Sequence, residues 1–169
     1  MCVINHNVER GILMRSILLS ITFISALFFL GISVGADELP KTFDPQRDAG
    51  KDLSLAIKMA SESEKNILLD VGGSWCIWCR IMENWLKQNT NVESYLHANY
   101  ILLKINFSPE NENKEFLSQF PKVPAYPHLF VLSSEGEFLH SQNTGSLENG
   151  KSYDQEKFLI FLKEWSPKK

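Results

Sequence analysis

From Asn66 to Val71 runs a short apolar segment rich in branched side chains, stopped by Gly72-Gly73, and soon afterwards Cys76-Ile77-Trp78-Cys79 opens a stretch with a different period. Ile81, Met82, Trp85 and Leu86 recur at helical spacing to about Gln88. The chain therefore passes from a strand buried on both faces almost directly into an amphipathic helix. The two cysteines fall at that junction, Cys76 at the helix N-terminus and Cys79 inside the first turn. A strand buried on both faces needs cover above and below, which makes a layered α/β domain the expectation.

The flanking segments extend this pattern. Asp48 is placed to cap a helix over about Ala49–Ser63, in which Ala49, Leu53, Ile57 and Ala60 form an apolar stripe. A short helix is expected at Val92–Ala98 and a second buried strand at Tyr100–Phe107. Ser108-Pro109 has the form of an N-cap followed by proline at the first helical position, predicting a helix to about Phe120. Pro121, Pro124 and Pro127 stiffen the next connection. Strands at His128–Leu132 and Glu137–Ser141 flank Ser133-Ser134-Glu135-Gly136 as a hairpin, and Gly145–Lys151 reads as loop. Phe158, Phe161, Leu162 and Trp165 set a closing amphipathic helix. The sum is a central mixed sheet with helices on both faces.

Before the domain lies a different kind of segment. Ile17 to Leu30 is almost continuously apolar, with Arg10 and Arg15 upstream and the small residues Val34-Gly35-Ala36 downstream, the layout of a secretory signal peptide. We place cleavage after Ala36, leaving residues 37–47 as a lead-in, a folded unit beginning near Phe43, and a domain over 48–169. Met14 would by itself open a compact signal sequence, so the start is read as Met1 or Met14. The alternative is an uncleaved helix, since Ile12–Val34 could reach across roughly 30 Å of hydrocarbon. Either way the domain is exported, to a periplasm or an equivalent compartment where disulfides persist. Cys2 belongs to the leader, so the domain holds Cys76 and Cys79 alone. The net charge of −3 offers no attraction to nucleic acid.

A thiolate, not a thiol, attacks a disulfide, and a free cysteine with a pKa of about 8.5 is mostly protonated at neutral pH. Unpaired N–H groups and the positive end of the dipole at a helix N-terminus favour an anion there. Cys76 is thus the expected nucleophile. Cys79 can close a small ring with it and release a substrate held as a mixed disulfide, which makes Cys79 the resolving cysteine.

Ile67-Leu68-Leu69-Asp70 followed by Ser74-Trp75-Cys76-Ile77-Trp78-Cys79-Arg80 resembles the active-site strand and helix of the thioredoxin superfamily. Lys104-Ile105-Asn106, Tyr126-Pro127, Glu135-Gly136 and the Gly145 loop follow in the family's order. The resemblance covers roughly Asp48 to Trp165 and is nearest to periplasmic members with a Trp-Cys-x-x-Cys site, such as the C-terminal domain of the membrane electron-transporting disulfide reductase. It implies a buried acid at Asp70 that assists proton transfer at the resolving cysteine, Lys104 beside it as a tuning charge, and a cis-proline at Pro127 facing the cysteines. Trp75, Trp78 and Tyr126 would then form an apolar rim for a partner's chain, although either tryptophan could instead be core, Trp75 more plausibly than Trp78. His128 is read as structural. Two departures bear on the redox potential: Ile-Trp separates the cysteines, and Asn84 stands where many members have a helix-kinking proline.

The implied activity is that of a protein-disulfide reductase or, more broadly, a thiol-disulfide oxidoreductase. It would act on proteins with cysteines or disulfides, be recharged by a membrane thiol electron donor, and need no cofactor beyond the redox-active Cys76–Cys79 disulfide. A thiol oxidant of the same fold is the alternative direction. Arg80, where haem attachment needs histidine, argues against covalent haem, and His97, His128 and His140 lack the spacing of a zinc site. Two soft thiolates could hold Cu(I) for delivery. A disulfide acting only as a staple is disfavoured, because so short a loop constrains little chain entropy.

Overall fold

The computed structural model describes residues 38–168. The leader, its cleavage point and both candidate starts lie outside the described residues. Four strands form one sheet in the order β2-β1-β3-β4, where β1 is Asn66–Gly72, β2 Tyr100–Asn106, β3 His128–Leu132 and β4 Phe138–Asn143. β1 pairs parallel with β2, placing Asp70 beside Lys104, and antiparallel with β3, placing Asp70 opposite Leu129. β3 returns antiparallel into β4 through the Ser133–Gly136 turn. Gly136 has φ +87° there, a backbone that favours glycine.

Helices cover both faces. On one side α1 (Ala49–Ser63) and the short α4 (Lys114–Leu117) pack on Ile67, Leu69, Val71, Leu103, Ile105, Phe130 and Leu132. On the other, α2 (Ile77–Gln88), α3 (Thr90–Asn99) and α5 (Gln155–Glu164) enclose Leu68, Leu129 and Val131 with Trp85, Tyr100, Tyr153 and Phe158. Every residue of β1 is buried, because alternate side chains point into two separate cores. Asp70 follows Leu68 by two positions and so points into the α2 side. Among the described residues no helix is long and apolar enough to cross a membrane.

Several expectations are corrected. Ser108 caps no helix. Its N–H and carbonyl pair with Asn111 in a tight turn, Asn106 Nδ2 donates to Ser108 Oγ at 3.1 Å and to the Asn111 carbonyl at 2.9 Å, and Asn113 sits at φ +47°. Amide side chains that bond their own backbone compete with helix formation, and only Lys114–Leu117 remains helical. Along α1 the expected stripe of Ala49, Leu53, Ile57 and Ala60 does pack on the core, Leu53 and Ile57 partly buried, and Asp52 and Ala56 are buried with it. The Gly145–Lys151 segment carries a 3-10 turn (Thr144–Leu147) and β5 (Glu148–Asn149), which pairs with β6 (Ser152–Tyr153). Order also begins earlier than Phe43: Leu39 packs on the α1-side core, and Arg47 Nη2 donates to the Glu38 carbonyl at 3.0 Å.

Candidate active site

Cys76 is the N-cap of α2, in extended conformation with φ −79° and ψ 109°, and Cys79 N–H donates to its Sγ at 3.1 Å. The sulfur thus already receives one of the N–H groups that a helix start leaves without an intrahelical partner. The two cysteines form a disulfide with Cα atoms 5.3 Å apart. Both are nearly closed to solvent, at 3% for Cys76 and 2% for Cys79, while their neighbours Trp75 and Ile77 are 52% and 56% exposed.

The relative positions of the cysteines and the strand depend on Gly72. A Cβ at that position would meet Cys79 Sγ at 2.5 Å and Phe43 Cζ at 3.0 Å. Only a residue without a side chain lets the second sulfur and the Phe43 ring close on β1 at one point. The preceding residue on the same strand face is Asp70, 2% exposed. Burial raises its pKa, against the lowering effect of Lys104. Lys104 Nζ donates to Asp70 Oδ2 at 3.0 Å, lies 3.7 Å from Glu83 Oε2, and stands over the Phe43 ring at 4.4 Å from its centroid. Asp70 Oδ1 has no hydrogen-bond partner among the described residues, so this carboxylate is only half satisfied. Glu83, bonded to Lys87 at 2.8 Å, is held below the usual carboxylate range chiefly by that hydrogen bond.

The Tyr126–Pro127 peptide is cis. Thr144 Oγ1 donates to the Pro127 carbonyl at 2.6 Å within the core. Tyr126 stacks on Phe107 at 4.8 Å and meets Trp75 edge-on at 5.6 Å, and Trp75 Nε1 donates to the Phe107 carbonyl at 2.7 Å. Trp75 and Tyr126 therefore make an aromatic pair held by the Trp75 hydrogen bond, and Ile77 is exposed next to Cys76 in sequence.

The two tryptophans exchange their expected weights. Trp78 is partly buried and packs edge-on against Tyr153 at 5.9 Å as part of the α2-side core, whereas Trp75 is the exposed one. The side chain of Lys104 is 9% exposed and ion-paired to Asp70. His128 is buried against Phe130 and shares a hydrogen bond with Ser141 Oγ at 2.8 Å. Burial holds its pKa down at about 4, with His140 adding to the effect. Phe43 and Glu83 were not singled out from sequence. The lead-in had no period to place Phe43, and Glu83 carries only the weak cue of lying on the helical turn that follows Cys79. Among the described residues no group of three or more His, Cys, Asp or Glu side chains is arranged to hold a metal ion.

This strand, cap and cis-proline arrangement can be compared with known proteins. A family profile described as thioredoxin-like matches residues 48–134. The chain belongs to the thioredoxin-like family. It is 26% identical over 93 residues to the disulfide bond reductase DsbH of Chlamydia pneumoniae, a match that covers 50% of this thioredoxin-like chain and 55% of DsbH, so the chain spans about half the length of that relative. Among solved structures, a disulphide isomerase from Xylella fastidiosa Temecula1 superposes with a TM-score of 0.62 at 23% identity, covering 76% of this chain and 98% of that one. The oxidised C-terminal domain of DsbD from Neisseria meningitidis gives 0.51 at 19% identity, over 70% and 96%. At these identities the superpositions speak for a thioredoxin-like fold.

Proposed function

We propose that the protein is an exported thiol-disulfide oxidoreductase that reduces disulfides of envelope proteins through the Cys76/Cys79 dithiol. The reading is carried by one observation: a disulfide at the N-terminus of α2 whose second sulfur rests on Gly72, next on the strand face to the buried Asp70. In the reduced protein the Cys76 thiolate attacks a substrate disulfide. One S–S bond forms between Cys76 and the substrate, and the first substrate sulfur leaves as thiolate. Cys79 then gives its proton to the Asp70 carboxylate and attacks Cys76 Sγ. The intramolecular disulfide forms, the mixed disulfide breaks, and the second substrate sulfur departs with the electron pair.

Two features support this division of labour. The N-cap position favours the thiolate at Cys76, and burial keeps the Asp70 pKa raised, which suits a group that must accept a proton and return it. Trp75 and Tyr126 form the docking rim, with the buried Pro127 fixing the chain direction after Tyr126, Ile77 exposed beside Cys76 and Trp78 supporting the helix from below. The reductive direction rests on likeness to a relative named a disulfide bond reductase. It requires a membrane thiol donor to recharge the dithiol, and export rests on the composition of the leader.

Mixed-disulfide trapping tests the assignment. In the full chain, Cys79→Ser is expected to accumulate a covalent adduct with a disulfide-bonded protein such as insulin, through Cys76, while Cys76→Ser accumulates none. Capture through Cys79 instead, or by neither variant, would remove the proposed roles.

A further inference from the structure

We infer that Phe43, carried on the lead-in to α1, is a positioning residue for the dithiol: its ring seals the Asp70–Lys104 pair and the Cys79 sulfur from water. The inference rests on the oxidoreductase reading above. It starts from a convergence of contacts. The Phe43 ring and Cys79 Sγ close on the same point over Gly72, at 3.0 and 2.5 Å from where a Cβ would lie, and the ring face lies 4.4 Å from Lys104 Nζ, which is itself bonded to Asp70 at 3.0 Å. One half-buried aromatic side chain thus lies over Lys104, the partner of Asp70, and converges with the Cys79 sulfur on Gly72.

The lead-in is fastened on both sides of Phe43. Upstream, Arg47 Nη2 donates to the Glu38 carbonyl at 3.0 Å. Downstream, Asn111 Nδ2 donates to the Pro45 carbonyl at 3.0 Å, while the Arg47 guanidinium is paired with the buried Asp52. Position 43 lies five residues before the 48–134 stretch that matches the family profile.

An aromatic face over an ammonium steadies Lys104 beside Asp70, and a ring in place of water keeps the surroundings of the carboxylate apolar. These effects oppose one another at Asp70: lost desolvation lowers its pKa, while a freed Lys104 lowers it less. Burial is the largest influence on Asp70, and a ring that acts as a seal moves the titration downward when it is removed. The other titratable groups facing the pair are Glu83, itself held by Lys87, and Tyr153, which senses the Asp70 charge.

The test uses the full chain with Phe43→Ala and Phe43→Leu. In the oxidised protein the Asp70 carboxyl is titrated by carbon-13 NMR, with Asp70→Asn identifying its signal. In the reduced protein the rate of Cys79 alkylation is measured by mass spectrometry. Alanine is expected to move the Asp70 midpoint down toward the ordinary carboxylate range and to raise Cys79 alkylation severalfold. Leucine, which keeps an apolar cover, should hold both near wild type. If alanine changes neither, or leucine departs as far as alanine, the seal is overturned. Should alanine prevent folding, Phe43→Val takes its place and the same comparison decides. Neither readout needs turnover, so loss of disulfide cycling would refute the oxidoreductase reading without deciding this one.

Discussion

Gly72→Ala probes the contact on which the site is built. Its Cβ would lie 2.5 Å from Cys79 Sγ and 3.0 Å from Phe43 Cζ, against an ordinary separation of about 3.5–4.0 Å. The sulfur must therefore retreat by about 1 Å. In the oxidised protein Cys79 is tied to Cys76, whose backbone is fixed as the N-cap of α2. In the reduced protein the thiol can turn about its own side-chain bond. Overpacking of this kind costs about 1–3 kcal/mol, and most of it should fall on the oxidised form. Since 30 mV corresponds to about 1.4 kcal/mol for a two-electron couple, the Cys76–Cys79 potential should rise by roughly 20–60 mV. Guanidinium unfolding of both redox forms, with the potential measured alongside, closes the cycle. Gly50→Ala, whose Cβ meets only Asp48 Oδ1 at an unstrained 3.4 Å, serves as the comparison. An oxidised Gly72→Ala protein within about 0.5 kcal/mol of wild type, a difference typical of neutral surface changes, would refute this packing argument.

Four further substitutions have expected outcomes. His128 is kept neutral in the folded protein down to about pH 4, whereas in the unfolded chain it takes a proton near pH 6.5. Stability should thus fall by up to about 3 kcal/mol as pH drops through that window, and thermal unfolding of His128→Gln should show a flatter slope. Asp70 has the opposite sign: its folded pKa is raised by burial, so the stability it contributes below the ordinary carboxylate range is lost as pH rises through the folded value. Asp70→Asn should exceed wild type in stability at neutral pH, converge with it in acid, and lose about tenfold or more in the rate of insulin reduction. Trp75→Ala, at an exposed position, should leave the unfolding midpoint nearly unchanged but weaken kcat/KM for a disulfide-bonded peptide about tenfold, as loss of roughly 1.4 kcal/mol of aromatic contact would. Trp78→Ala should instead lower the midpoint.

What the sequence disclosed and what it hid follow from how local each determinant is. β1 and α2 were legible because Ile67, Leu68, Leu69 and Val71 are apolar around the single Asp70 and Ile81, Met82, Trp85 and Leu86 keep a helical period, and both patterns are set within a few residues. The Ser108–Phe120 helix was misread because the side chains of Asn106, Asn111 and Asn113 bond to one another's backbone, a competition that leaves no period to detect. Trp75 and Trp78 exchanged roles because the helix begins at Ile77. Trp75 precedes the cap and escapes the helical face, while Trp78 is carried onto Tyr153. Phe43 joins the site through tertiary packing alone, since it is separated from Lys104 and Gly72 by the whole of α1. The pairing of Asp70 with Lys104 depends on the parallel register of two strands, which resemblance suggested and periodicity could not.

The central claim is that Cys76 and Cys79 cycle between dithiol and disulfide to reduce partners. Its most direct test is the equilibrium reduction potential of the pair in the full chain, set by dithiothreitol or glutathione buffers and read by trapping free thiols, with Cys76→Ser as control. The account predicts a reversible two-electron transition at or below about −230 mV. A potential near about −120 mV would reverse the direction to an oxidant, and failure to cycle at all would contradict the account.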